Sequence, residues 1–226
     1  MAPGTRPTSP YLASGFYDRA LAAGRHRDIV GGRWDETARA QMACLSAEGM
    51  QPQHRLLDIG CGALRLGHKA VALLDPGHYW GTDASLALMR RGWEAELSPD
   101  LQSRLPLPQL VEDAGFVFPG LPADFDFAIA FGVFTHLPAA MLRPALTNLR
   151  HHLRPQGKLL LTVFLCPEGH AGRLAQPDGV VTHSDRPPWH RPASAITEDA
   201  AVTGFSCAWR DRQLPRGQRL CVLSLA

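Results

Sequence analysis

A four-residue apolar run, Leu56-Leu57-Asp58-Ile59, stops at Gly60-Cys61-Gly62, and a helical pattern begins directly afterwards, from Leu66 to Leu74. That order predicts a strand, a glycine turn and a helix. Missing side chains at such a turn let a ligand approach the backbone, which makes Asp58, Gly60, Cys61 and Gly62 candidate binding residues. A glycine turn without a ligand is the plain alternative. A second apolar run, Tyr79-Trp80-Gly81-Thr82-Asp83, ends on a carboxylate 21 positions after Gly62. An acid there can accept both hydroxyls of a ribose. It can also cap the helix that starts near Ser85, and the two roles are compatible.

The same alternation continues along the chain. A helical stretch begins near Leu86, and a weak third strand follows at Leu110-Val111 or at Phe116-Val117-Phe118. Phe125 to Val133 predicts a fourth strand. Leu142, Leu146, Leu149 and Leu153 then recur at helical spacing, and Lys158 to Leu165 predicts a fifth strand. Short apolar strands alternating with amphipathic helices imply parallel pairing through right-handed crossovers, hence an α/β doubly wound sheet. A helix from about Ser194 to Val202 precedes two last strands, Phe205 to Trp209 and Arg219 to Leu225. With no helix between them, these two should be antiparallel.

Residues 1–10 hold three prolines and few apolar side chains, so a loose tail is expected there. Residues 11–50 read as a helical lid or cap, with Asp35 as the N-cap of its clearest helix and Gly49 as the stop. Residues 51–226 form the main domain. Within it, residues 166–192 are rich in proline, glycine and histidine, and a loop of that length is usually a lid or a binding segment.

Composition narrows the partners. The 226-residue chain is 45% hydrophobic and 19% charged, enough apolar material for one substantial core. A formal charge of +2 with no polybasic run gives no reason to expect nucleic acid or membrane binding. No stretch approaches the roughly 18 apolar residues of a membrane span, and the first residues lack the apolar core of a signal peptide. Five scattered cysteines without a Cys-x-x-Cys pair suit a reducing compartment. The expectation is a cytoplasmic protein.

These residues resemble the class I S-adenosylmethionine-dependent methyltransferases, whose first motif places an acid, then glycine, any residue and glycine after the first strand. Asp58, Gly60 and Gly62 match that motif. Dehydrogenase fingerprints usually carry an apolar residue at the Asp58 position. The resemblance extends to Phe125-Asp126-Phe127-Ala128-Ile129-Ala130, to Val133-Phe134-Thr135-His136-Leu137-Pro138 and to Leu153-Arg154-Pro155-Gln156-Gly157-Lys158. One departure is Leu64, where the family often has a third glycine. A bacterial small-molecule subgroup looks similar in two further stretches, Val30-Gly31-Gly32-Arg33-Trp34-Asp35-Glu36 and Pro215-Arg216-Gly217-Gln218. The resemblance implies a Rossmann-like, mostly parallel seven-stranded sheet with an antiparallel final strand. It also implies S-adenosylmethionine as cofactor, and an acid or amide near the adenine, for which Asp113 and Glu112 are the candidates and Asp113 the first choice. Either acid can instead be a solvated loop charge.

In such a sheet the ligand crevice lies beyond the carboxyl ends of the strands, at the switch between strands one and four. Asp58 to Gly62 should therefore face Phe131 to His136, with Phe131 on the cofactor. Methyl transfer from a sulfonium needs alignment above all, and a general base is optional. His136 is the candidate base, because imidazole titrates near neutrality. Its ordinary alternative is to pack at the helix entry near Pro138. Trp34 and Trp189 are candidate apolar walls. His170, His183 and His190, with Cys166 and Asp185, have spacings that match no compact ligand motif, and no metal is expected. The expected activity is methyl transfer to a small-molecule acceptor, on oxygen. Two rival readings are a nicotinamide-dependent oxidoreductase and a silent binding protein on the same fold.

Overall fold

The computed structural model describes residues 9–13 and 15–226, so the tail expected over residues 1–10 lies outside the described residues except for its last two. Three helices lead in: α1 (Phe16–Ala22), α2 (His26–Ile29) and α3 (Trp34–Ala47). The N-cap of α3 is Arg33, in a left-handed conformation, and Asp35 sits inside the first turn, where its charge favours the helix dipole without capping it. Gly49, at φ +95°, follows the end of this helix as expected.

The alternating part then runs β1 (Leu56–Ile59), α4 (Gly67–Leu73), β2 (Tyr79–Asp83), α5 (Leu86–Glu96), α6 (Pro99–Arg104), β3 (Leu110–Glu112), β4 (Phe125–Ala130), α7 (Leu142–Leu149) and β5 (Leu153–Cys166). The strands β3, β2, β1, β4 and β5 lie side by side in that order, all parallel. Beyond β5 come the hairpin β6 (Arg173–Ala175) and β7 (Val181–His183), then β8 (His190–Pro192), α8 (Ala193–Val202), β9 (Phe205–Arg210) and β10 (Arg219–Leu225). The last strand inserts between β5 and β9, antiparallel to both. The sheet has eight strands rather than seven, because β8 adds a short parallel pairing to the end of β5.

Period-two alternation sorts the strand residues onto two faces. Leu56, Phe127, Ile129, Leu160 and Val222 pack against α3, α4 and α5, whereas Leu57, Ala128, Leu159, Leu161 and Leu223 pack against α7 and α8. Both faces are covered, which is why β1 and β4 read as continuous apolar runs rather than as alternating ones.

The third strand takes the first of its two candidate positions, and the end of α7 differs from the sequence reading, each for a local reason. The third strand is Leu110–Glu112, and Phe116 to Phe118 is a loop. The Asp113 carboxylate accepts the backbone N–H groups of Gly115, Val117 and Phe118 at 3.0, 3.1 and 2.7 Å, which holds Phe116 and Phe118 at φ +56° and +55°. Side chain to backbone bonding of this kind replaces a strand ladder. Leu153 continues the spacing of α7 but lies in β5. The helix stops at Leu149, and the chain is already extended at Leu153, where it pairs with Phe125.

Candidate active site

β1, β2 and β4 all end on one side of the sheet, and a cavity of about 120 Å³ lies beyond their carboxyl ends. Its floor is the turn after β1. Gly60 and Gly62 adopt φ +68° and +56°, and both line the cavity. A Cβ on Gly60 would stand 2.5 Å from Val133 Cγ2, and one on Gly62 would stand 2.5 Å from Val30 Cγ1. Glycine is required at both positions for conformation and for space. Leu64, at the third-glycine position, takes φ +62° with its side chain fully buried, so packing holds a conformation that normally favours glycine.

The turn's donors are used internally. Gly60 and Cys61 both donate to the Thr82 carbonyl, at 2.7 and 3.0 Å, and Gly62 donates to Asp83 Oδ2 at 3.0 Å. Asp83 Oδ1 accepts from the Ser85 N–H at 3.1 Å. Its carboxylate thus ties the turn to the start of α5 while facing the cavity. The cap of α5 itself is Ser85, whose hydroxyl accepts from Leu88 N. Burial raises the Asp83 pKa to about 6, against the pull of its backbone donors.

Two of the residues expected at the ligand do not reach the cavity wall. Asp58 is 2% exposed, and its Oδ2 accepts from the Tyr79 hydroxyl at 2.7 Å. Burial pushes its pKa up to about 7. The Cys61 side chain turns beneath Gly81, where a Cβ would meet its Sγ at 2.8 Å. Both support the turn from behind. Asp113 does line the cavity, with its carboxylate committed to the 115–118 loop, while Glu112 Oε1 accepts from Leu86 N at 3.2 Å. Phe131, 7% exposed, supplies apolar wall.

His136 lines the opposite wall. Its ring tilts against Tyr11, with centroids 5.1 Å apart, and does not cap the helix beyond Pro138. Burial, with the Arg216 charge adding to it, pulls its pKa down to about 4, so the imidazole is neutral at pH 7. Tyr11, Tyr17, Ile29 and Val30 roof the cavity from the N-terminal segment. They make it smaller than the roughly 300–1,000 Å³ of a typical small-molecule site. The segment is fastened by His26 and Arg27 to Glu96, at 2.7 Å each, and by Arg65 Nη1 to the Val30 carbonyl at 2.6 Å.

No residue of 166–192 lines this cavity. Trp189 donates its backbone N–H to the Thr135 carbonyl at 2.7 Å and borders a separate small pocket with Phe134 and Arg191. Trp34 stacks on His68, outside the cavity. His170 and His190 meet edge to face at 5.3 Å, and His190 Nδ1 bonds to the Thr182 hydroxyl at 2.8 Å. Gly132 falls within the stretch expected to face the glycine turn, whereas Phe116, offered in the sequence only as an alternative third strand, reaches the cavity from a loop.

Residues 57–159 match the family model described as a methyltransferase domain. Among solved structures, the chain is similar to a magnesium protoporphyrin IX methyltransferase of Synechocystis, solved with bound S-adenosylmethionine. Identity there is 16% and the TM-score 0.62, over 96% of this chain and 94% of that one. A 1,6-didemethyltoxoflavin-N1-methyltransferase of Burkholderia thailandensis, bound to its namesake compound and S-adenosylhomocysteine, is 21% identical. Its TM-score is 0.62, over 95% of this chain and 90% of that one. A putative O-methyltransferase of Nostoc punctiforme is 15% identical with a TM-score of 0.65, over 96% of this chain and 63% of that one. At these identities the structures speak to the fold. The matched segment spans the glycine turn, Asp83 and β4, and the solved methyltransferases share the fold that carries them.

Proposed function

We propose that this chain transfers a methyl group from S-adenosylmethionine to a small-molecule acceptor, on oxygen, with His136 as the base. The observation that carries the reading is the meeting of Gly60, Gly62 and Asp83 on one wall of a single cavity with His136 on the other. The residues fit this cofactor better than a dinucleotide. A pyrophosphate needs free backbone N–H groups at the glycine turn. Here those of Gly60, Cys61 and Gly62 are already bonded within the chain, and two carboxylates stand beside them.

When bound, S-adenosylmethionine supplies a methyl group already activated by its sulfonium. Asp83 would accept the ribose hydroxyls, Gly60 and Gly62 would give the space for close approach, and Phe131 would pack on the apolar side. Asp113 would act through the loop it holds, with Phe116 beside the ligand. Asp58 and Cys61 would keep the turn in shape. His136, neutral at pH 7, would take the proton that an oxygen acceptor loses as its lone pair forms the new bond to carbon. Residues 11–50 would serve as the lid, since Tyr11, Tyr17 and Val30 already lie over the cavity. A closed lid excludes water from the transfer.

The direct test incubates the protein with methyl-labelled S-adenosylmethionine and pooled small metabolites. Label should pass to a product whose new methyl group sits on oxygen. Label found on nitrogen would remove the oxygen assignment, and no label in any product from a protein that binds the cofactor would favour the silent binding reading.

A further inference from the structure

The segment Pro215 to Gln218, between β9 and β10, is used by nothing in the cofactor half of the cavity. We infer that it reads the acceptor, with Arg216 and Gln218 selecting a molecule that carries a carboxylate or phosphate near the oxygen to be methylated. This rests on the methyltransferase reading and adds the class of acceptor to it.

Arg216 is held with care for an exposed turn. It adopts φ +67°, a left-handed conformation that its side chain disfavours, and its backbone N–H donates to Asp178 Oδ2 at 2.7 Å. Asp178 also accepts from Arg33 Nη1 at 2.5 Å, so three distant segments meet there. The Arg216 guanidinium runs inward to the Gly31 carbonyl, next to Val30 on the cavity roof. Arg65 reaches the same stretch from below, donating to the Val30 carbonyl, and its Nε is buried without a partner.

Among the described residues, no carboxylate forms an ion pair with either guanidinium. The undescribed positions, residues 1–8 and Ser14, contain no Asp or Glu. Asp58 acts on Arg65 from behind the turn, but its carboxylate is bonded to Tyr79. Burial and the neighbouring Arg216 charge lower the Arg65 pKa to about 10. Two half-buried like charges whose direct partners are backbone carbonyls repel one another, and a ligand of opposite charge would relieve that repulsion.

Gln218 supplies the second recognition group. It is 5% exposed, and its Oε1 accepts from the Thr162 hydroxyl at 2.6 Å. Thr162 Oγ1 in turn accepts the Gly132 N–H at 2.8 Å. That relay fixes the amide, so its Nε2 lies toward Gly132 of the cavity wall, 3.5 Å from where a Cβ would stand. Neither side chain lines the cavity itself: the guanidinium stands behind its roof at Gly31 and the N–H₂ beside Gly132, a pair of donors suited to anionic oxygens at that edge.

The test titrates protein saturated with S-adenosylhomocysteine with inorganic phosphate, for the wild type, Arg216→Gln and Arg216→Lys. Phosphate affinity should fall about tenfold or more in Arg216→Gln, the loss of one charge-assisted contact, and be largely retained in Arg216→Lys. S-adenosylhomocysteine affinity should be unchanged in both. Phosphate affinity that is absent in the wild type, or equal in all three proteins, would overturn the proposal. So would an Arg216→Gln loss of S-adenosylhomocysteine affinity with 5′-methylthioadenosine unaffected, because Arg216 would then hold the cofactor's own carboxylate. Arg216-dependent phosphate binding in a protein with no affinity for S-adenosylhomocysteine would leave the anion site standing and remove the methyltransferase reading.

Discussion

One wall of the cavity is backbone and carboxylate, drawn from Gly60, Gly62 and Asp83, and its key bond joins residues 21 positions apart. The opposite wall is aromatic, drawn from Tyr11 and His136, and behind the roof stands Arg216, whose bond to Gly31 spans 185 positions. The near wall is made by one β–turn–α–β unit and so is fixed by local spacing. The far wall is complete only after Tyr11 of the N-terminal segment has docked against His136, which follows β4. A binding surface held by short connections can stay constant while the surface across from it is rebuilt for another acceptor.

If that division is right, substitutions on the far wall should remove turnover and leave cofactor affinity alone. The largest effect is expected for His136→Asn, with turnover lower by about 10²–10⁴-fold, the usual contribution of a positioned base, at unchanged S-adenosylhomocysteine affinity. Single-turnover assays beside calorimetry would separate the two, and unaltered turnover would strike His136 from the chemistry. Gly60→Val comes next. A branched side chain in a left-handed conformation that also overlaps Val133 should cost about 2–4 kcal/mol of stability and abolish cofactor binding. Denaturant unfolding would measure it, and a stable, binding-competent variant would mean that the turn is not the floor of the site.

Asp83→Ala should weaken S-adenosylhomocysteine by about 1.5–3 kcal/mol through lost charge-assisted hydrogen bonds. Calorimetry on the folded variant would show it, and equal affinity would take Asp83 out of the site. The smallest effect is the pH dependence of the same binding. With Asp83 raised to about 6, the empty protein protonates it as pH falls through 6, so wild-type affinity should drop below that pH and stay flat above it. For stability the sign is reversed: the buried carboxylate is a penalty above pH 6, and protonation relieves it. A flat affinity from pH 5 to 8 would show that the carboxylate does not meet the ligand.

The sheet and the near wall were legible because their signals are local. Ile59-Gly60-Cys61-Gly62 and Asp83 can be placed from spacing alone, and the closing antiparallel pair follows from the missing helix between β9 and β10. Phe116 to Phe118 competed with Leu110-Val111 for the third strand because three apolar residues look like a strand, whereas the Asp113 side chain had already claimed the N–H groups of Val117 and Phe118. The extra strand β8 was hidden in a loop whose prolines argue against pairing. Arg216 and Gln218 stood out only through resemblance. Nothing in their neighbourhood along the chain shows that one faces Gly31 and the other Gly132.

The central claim is that the glycine turn and Asp83 form a nucleoside site without a pyrophosphate cradle. Calorimetric titration of the wild-type protein with S-adenosylhomocysteine, and separately with NAD, tests it most directly. Saturable binding of S-adenosylhomocysteine that is lost in Gly60→Val, with no heat from NAD, is the expected result. Saturable binding of NAD with none of S-adenosylhomocysteine would contradict the account.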